Sequence, residues 1–346
     1  MTLNPSLHQQ LTTRRAFLAA AGAAGLGLGL AACGSDDDGS APARKAGTTA
    51  GDFPARVPHK YGATMVEHAP KRVATYGGGD VDTLLALGIT PVLVPDIDPR
   101  WKQSGGVAPW SRSRVRGEAP VVAANDALEL EKVAAARPDL ITAVEYDLKK
   151  PDYGKLSELA PTVPPPKGFA PYTVPWDTMA VQVGASLGRR ADAEALVKAT
   201  RGRIAAAAKA NPKFASSKAI LIDPDDDGGV YIFAENDVRT RFLGDLGLTM
   251  PAEIERLFKG QFYAQISAER LDLLDTADAL VLVAVRKPQV KRLTSSRTYK
   301  NLDVVREGRV VTIDDPDLAI AMSYSSVLSQ PFQLREVVPG LREALA

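Results

Sequence analysis

Four short stretches carry side chains whose type and spacing could do chemistry. "GASLG", Gly184 to Gly188, has the G-x-S-x-G spacing that presents a serine nucleophile for acyl transfer. That serine needs a histidine base, and no histidine follows His68. Triads occur in several chain orders, so order alone leaves His59 and His68 open as partners of Ser186. The context favours a helix end with small packing residues, because an elbow follows a strand and Ser186 falls on a helical pattern. "YGGGD", Tyr76 to Asp80, sits after a strand and before a helix, where backbone amides could receive an anion. It lacks the dinucleotide spacing and the P-loop lysine, which favours a plain tight turn. "DPDDDGG", from Asp223, has acids enough for calcium but no distal glutamate at EF-hand spacing, so a solvated turn is the better reading. The fourth is the single cysteine, Cys33, in "LAAC".

Cys33 ends an uncharged run from Ala16 to Ala32 that contains four glycines, too short and too weak for a permanent span. Arg14 and Arg15 precede the run and small residues close it, as in an export signal, and "TRRAFL" is similar to the twin-arginine version. "LAAC" resembles the lipobox of bacterial lipoproteins, which implies cleavage before Cys33 and lipidation of that residue. The other reading is an ordinary thiol in a disordered leader; under either, one cysteine forms no internal disulfide. Two or more acyl chains would hold the protein on the outer face of the cell membrane without a span. The expected organisation is a signal peptide at 1–32, a flexible tether at 33–54 and a functional body outside the cytoplasm.

Loss of residues 1–32 leaves 40 Lys+Arg against 41 Asp+Glu, a balance with no nucleic-acid signature. Only His59 and His68 remain as histidines, which argues against a dedicated zinc, copper or manganese protein.

The elements that must position these residues alternate. "RVATYGG", "DVDTLLALG" and "ITPVLVPD" read as strand, helix, strand, and "ALELEKVAAARPDLITAVEY" adds a further helix and strand. Such alternation implies a parallel sheet covered by helices. "PTVPPPKGFAPYTVP" is a surface crossing, and "WDTMAVQVGASLG" puts Trp176, Met179, Val183 and Leu187 on one helical face. "RRADAEALVKATRGRIAAAAKAN" is about twenty helix-favouring residues stopped by Asn211-Pro212, long enough to cross roughly 30 Å. Alternation then restarts with two strands around the acidic turn. The echo between "LEKVAAARPDLITAV" and "AERLDLLDTADALVLVAV" implies two similar lobes. The fold class expected is α/β, with Rossmann-like lobes at 55–190 and 212–346 joined by one long rigid helix at 191–211.

From about Val57 to Leu345 the chain resembles the ferric-siderophore (FecB/FhuD-like, helical-backbone) class of ABC-transporter substrate-binding proteins, the class III periplasmic-binding-protein fold. The resemblance rests on the order of "HKYGATMVEHAPKRVATYG", "LLALGITPVLV", "LEKVAAARPDLI", "FLGDLGL", "SAERLDLLDTADALVLV" and "YKNLDVVREGRVVTID". It implies a non-enzymatic monomer that captures a ferric siderophore between its lobes and hands it to an ABC permease of the ferric-siderophore or cobalamin type. Iron would arrive inside the chelate, and the protein itself would bind no cofactor. The resemblance further implies that Glu131 and Glu269 each meet a permease arginine, although an acid in the first turn of a helix is favoured by the macrodipole in any protein.

A bulky, partly aromatic chelate calls for aromatic walls and guanidinium donors. Candidates on loops facing the gap are Trp101, Trp110, Arg112 and Tyr146 in the first lobe, and Tyr231, Arg239, Arg241, Arg286 and Tyr324 in the second. Hydroxamate-binding members have an arginine six residues before the first docking acid, where this chain has Asn125. The rival readings are a cobalamin or haem carrier of the same class and a secreted hydrolase using Ser186. A stiff interlobe helix leads one to expect a largely preformed cleft.

Overall fold

The computed structural model describes residues 51–346. The expected twin-arginine leader, Cys33 and nearly all of the expected tether lie outside the described residues. A hairpin of β1 (Ala55–His59) and β2 (Gly62–Val66) comes first, ahead of the strands legible in the sequence.

The N lobe is a parallel sheet in the order β5-β4-β3-β6-β7, formed by β3 (Val73–Thr75), β4 (Leu93–Pro95), β5 (Val121–Ala123), β6 (Leu140–Thr142) and β7 (Thr162–Val163). β3, β4 and β6 are buried throughout, which is why they read as unbroken apolar and β-branched runs. Strand order reverses between β3 and β6, and the crevice outside the carboxyl ends of those two strands is where open α/β sheets take ligands.

The C-lobe sheet runs β10-β9-β8-β11-β12, from β8 (Ala219–Pro224), β9 (Val230–Phe233), β10 (Tyr263–Ile266), β11 (Ala279–Val283) and β12 (Val310–Ile313). β8, β11 and β12 are parallel, while β9 and β10 run antiparallel to their neighbours. This departs from the expectation of two similar lobes. The acidic turn between Pro224 and Val230 is too short for a crossover helix, so it must close a hairpin.

One helix, Arg190–Ala210, passes from lobe to lobe. It is rich in alanine, with Asp192 in its first turn and Lys209 in its last complementing the helix dipole. Ala193, Thr200 and Ile204 form its buried stripe. The preceding helix, Trp176–Ser186, turns into it through Gly188 at φ 64°. A methyl group at Gly184 would collide with the Cβ of Ala193, so glycine is what lets the two helices touch. Ser186 is fully buried and donates to the Val183 carbonyl (2.7 Å), while His59 bonds Thr64 (3.0 Å). "GASLG" is thus a helix corner.

A single apolar cluster joins the lobes beneath this helix. It contains Val57, Leu84, Trp176 and Val183 on one side, Ile204 in the middle, and Phe214, Leu221, Phe242 and Leu341 on the other. The outer faces of the two sheets are packed separately, against clusters that include Ile141 and Leu156 in the N lobe and Ile222 and Leu280 in the C lobe.

Candidate ligand cleft between the lobes

The floor on the N-lobe side forms where β3 and β6 end. The glycine turn after β3 brings Gly79 N within 2.5 Å of Glu145 Oε2, and the Asp80 carboxylate accepts from Val144 N (2.8 Å) and Glu145 N (3.2 Å). The chain's own Glu145 thus takes the Gly79 amide, and Thr75 takes that of Gly77. Burial pushes Asp80 up to about 6, against the pull of these hydrogen bonds. Burial pushes Glu145 well up as well, helped by the nearby Asp80 and Asp82.

Tyr324, just past the helix Pro316–Ser323, reaches this floor from the C lobe. Its ring lies across Gly78, where a methyl group would fall 2.6 Å from Tyr324 Cδ1. The Asn125 side chain hydrogen-bonds its hydroxyl. Burial, then the Glu145 charge, push that phenol up to about 12, opposed by Asn125 and Arg239. Tyr146 packs against Tyr76 with centroids 5.5 Å apart. Tyr172 sits close enough to Tyr146 and Tyr324 to feel both, and burial first, then Asp147, pushes it up to about 12.

The C-lobe wall holds two guanidinium–carboxylate pairs. Arg239 forks onto Asp237 through Nε and Nη2, both at 2.8 Å, and stacks 3.5 Å over the Phe233 ring. Arg286, which follows β11, donates to Asp223 (3.0 Å) and to the Pro224 carbonyl. Tyr231 lies close enough to Arg286 and Asp225 to feel both charges, and burial raises its phenol.

The tryptophans belong to the seam beside this cleft. Trp101 is 4% exposed and donates its indole N–H to Asp317 (3.0 Å), which Arg100 also pairs at 2.8 Å. Trp110 donates to Asp82 (2.7 Å), packs edge-on against Trp101 and stacks on Phe332 with an interplanar angle of 18°. Ser326 donates to the same Asp82 oxygen from the other lobe. Trp101, Trp110 and Tyr324 bound a cavity of about 20 Å³, room for a water molecule. Where a preformed cleft is expected, the Tyr324 ring fills the gap.

Of the remaining candidates, Arg112 is exposed in a short turn, Arg112–Arg114. Arg241 donates to the Asn236 carbonyl at 2.8 Å. Glu131 is exposed in the first turn of Leu130–Ala136. Glu269 is exposed beside Asp225, Asp227 and Gln265, and a Ser267 hydrogen bond holds its carboxyl below the ordinary value. Among the described residues no group of three or more His, Cys, Asp or Glu side chains could hold a metal ion, and no helix is long and apolar enough to cross a membrane.

Sequence reasoning missed Tyr172, Glu145 and the bonding role of Asn125. The only local signal for Tyr172 was its proline-rich setting; its φ of 62° is uncommon for an aromatic residue and marks a backbone held by its surroundings.

Comparison with known proteins agrees with this architecture. Over 107 residues the chain is 39% identical to "Putative ABC transporter substrate-binding lipoprotein YhfQ" of Bacillus subtilis (strain 168), a stretch that spans 31% of this chain and 32% of that protein. The fold matches the crystal structure of a periplasmic solute binding protein from Mycobacterium smegmatis with TM-score 0.73 and 29% identity, covering 84% of this chain and 99% of the other. It matches PiaA of Streptococcus pneumoniae in complex with ferrichrome with TM-score 0.72 and 26% identity, covering 84% and 98%. Residues 73–316, which supply both sheets and the helix between them, match the family model described as periplasmic binding protein, and the chain belongs to that family.

Proposed function

We propose that this protein is the extracytoplasmic substrate-binding component of an ABC importer, held to the membrane by lipid on Cys33, and that it carries a ferric siderophore between its lobes to a permease. One observation carries the reading: Tyr324 of the C lobe lies over Gly78, in the glycine turn that follows β3 at the switch point of the N-lobe sheet. The ferrichrome complex of a relative sharing 26% of its residues supports the choice of cargo class. Ligand sites commonly enclose about 300–1,000 Å³, so the Tyr324 ring must leave the turn to admit a chelate. Tyr146, Tyr172, Tyr231 and Arg286 then border the chelate, with the displaced Tyr324 ring beside them. Trp101 and Trp110 keep the rim in place. Glu131 and Glu269, one on each lobe, meet the permease.

The test is a titration of intrinsic tryptophan fluorescence in the full chain with ferrichrome, a ferric catecholate, cobalamin and haem. Submicromolar quenching by a ferric chelate is expected. A response to cobalamin or haem alone overturns the reading.

A further inference from the structure

Resting on the siderophore reading of this cleft, the charges on its walls narrow the class of chelate it takes. Arg239 has its forked donors on Asp237, and Arg286 has Nη2 on Asp223. Both carboxylates are nearly buried, with Asp223 4% and Asp237 6% exposed. Each guanidinium is thus neutralised inside its own lobe. The facing N-lobe wall supplies Asn125, Tyr146 and Glu145, which adds a carboxyl group and no base.

An anionic ligand could reach a guanidinium here in two ways. It could displace the resident carboxylate, leaving a buried charge unpaired, which is strongly unfavourable. Or it could share the guanidinium and bring its own charge against that carboxylate, which is repulsive. A neutral acceptor meets neither obstacle. The Arg286 Nε–H is buried in this structure and has no acceptor among the described residues, so a carbonyl or hydroxamate oxygen that enters once the gap opens can take it while Nη2 stays on Asp223.

We propose that the cleft selects ferric chelates of zero or positive net charge and rejects anionic ones, with Asp223 and Asp237 as the residues that set this preference.

One hydroxamate cage in three charge forms tests it: ferrioxamine B with its free ammonium, the N-acetyl derivative without charge, and the N-succinyl derivative with a carboxylate. A ferric tris-catecholate is the fourth probe. In the full chain, the first two are expected to bind, the succinyl form to bind about tenfold or more weakly, and the tris-catecholate not at all. Asp223→Asn should bring the succinyl form back toward the acetyl form. If that variant does not fold, the wild-type series decides alone. Equal or tighter binding of the succinyl form or of the tris-catecholate overturns the charge preference and leaves the siderophore reading standing. Silence from all four overturns both.

Discussion

Ser326 of the C lobe donates its hydroxyl to Asp82 of the N lobe, at the same carboxylate oxygen that receives the Trp110 indole. The acid is 3% exposed and its pKa is raised, by burial first, against the pull of Ser326, Trp110 and Ser111. Asp82 is a bolt between the lobes. Replacing it by alanine leaves both donors unpaired, with an expected loss of about 2–4 kcal/mol in urea unfolding. Ser326→Ala should cost about 1–2 kcal/mol. Two variants as stable as the wild type would dismiss the bolt.

Acid should stabilise the protein through Asp80. The unfolded carboxyl ionises near its ordinary value of 3.8, whereas the folded one keeps its proton to about 6. Folding therefore takes up a proton between those values, and stability from this group falls as pH rises through that window and then levels off. The full swing is about 3 kcal/mol. Urea unfolding at pH 5 and pH 7 should show a gain on acidification that is smaller in Asp80→Asn, the remainder coming from Glu145 and Asp82; parallel behaviour of the two proteins would contradict it.

The glycine turn should matter for cargo more than for folding. Gly78→Ala pushes a methyl group into the Tyr324 ring, which can swing away, so melting temperature should change little. The ring is then already off the turn that a chelate must reach, and chelate affinity should rise by up to about tenfold. Unchanged affinity would remove Tyr324 from the site.

Tyr172 offers a half-exposed ring on a φ of 62°. Tyr172→Ala should weaken chelate binding by about 1 kcal/mol, the worth of one aromatic contact. Tyr172→Phe should retain most of it. Isothermal titration separates the two outcomes.

Glu131→Gln and Glu269→Gln should leave chelate affinity as it was and reduce uptake into cells carrying the permease. The deficit should resemble that produced by raising salt, since exposed pairs chiefly guide encounter. Full uptake with both residues changed would exclude docking at these acids.

The sequence made the long helix legible because a stretch rich in alanine and charged residues continues without a breaker to Pro212 apart from Gly202, and it made the inner strands legible because both of their faces are buried. β10 escaped notice as an edge strand in which only Ile266 is buried, so no apolar run announces it. The tryptophans read as cleft walls because loop position and residue type were all that could be seen. What places them in the seam is a pair of acceptors, Asp82 and Asp317, that lie 28 and 216 residues away along the chain. Glu145 looked like the end of a strand; only the approach of the β3 turn shows that its carboxyl takes the Gly79 amide.

The apolar cluster under the interlobe helix has a bearing on traffic at the membrane. Because Leu84, Ile204 and Leu341 share one packed interior, the halves have little freedom to clap shut around a catch. Room for a chelate must then come from the loops and side chains around Tyr324. A transporter that must not waste ATP on empty carriers has to sense those groups or the chelate's own exposed edge, since no large swing of the carrier can announce that it is full.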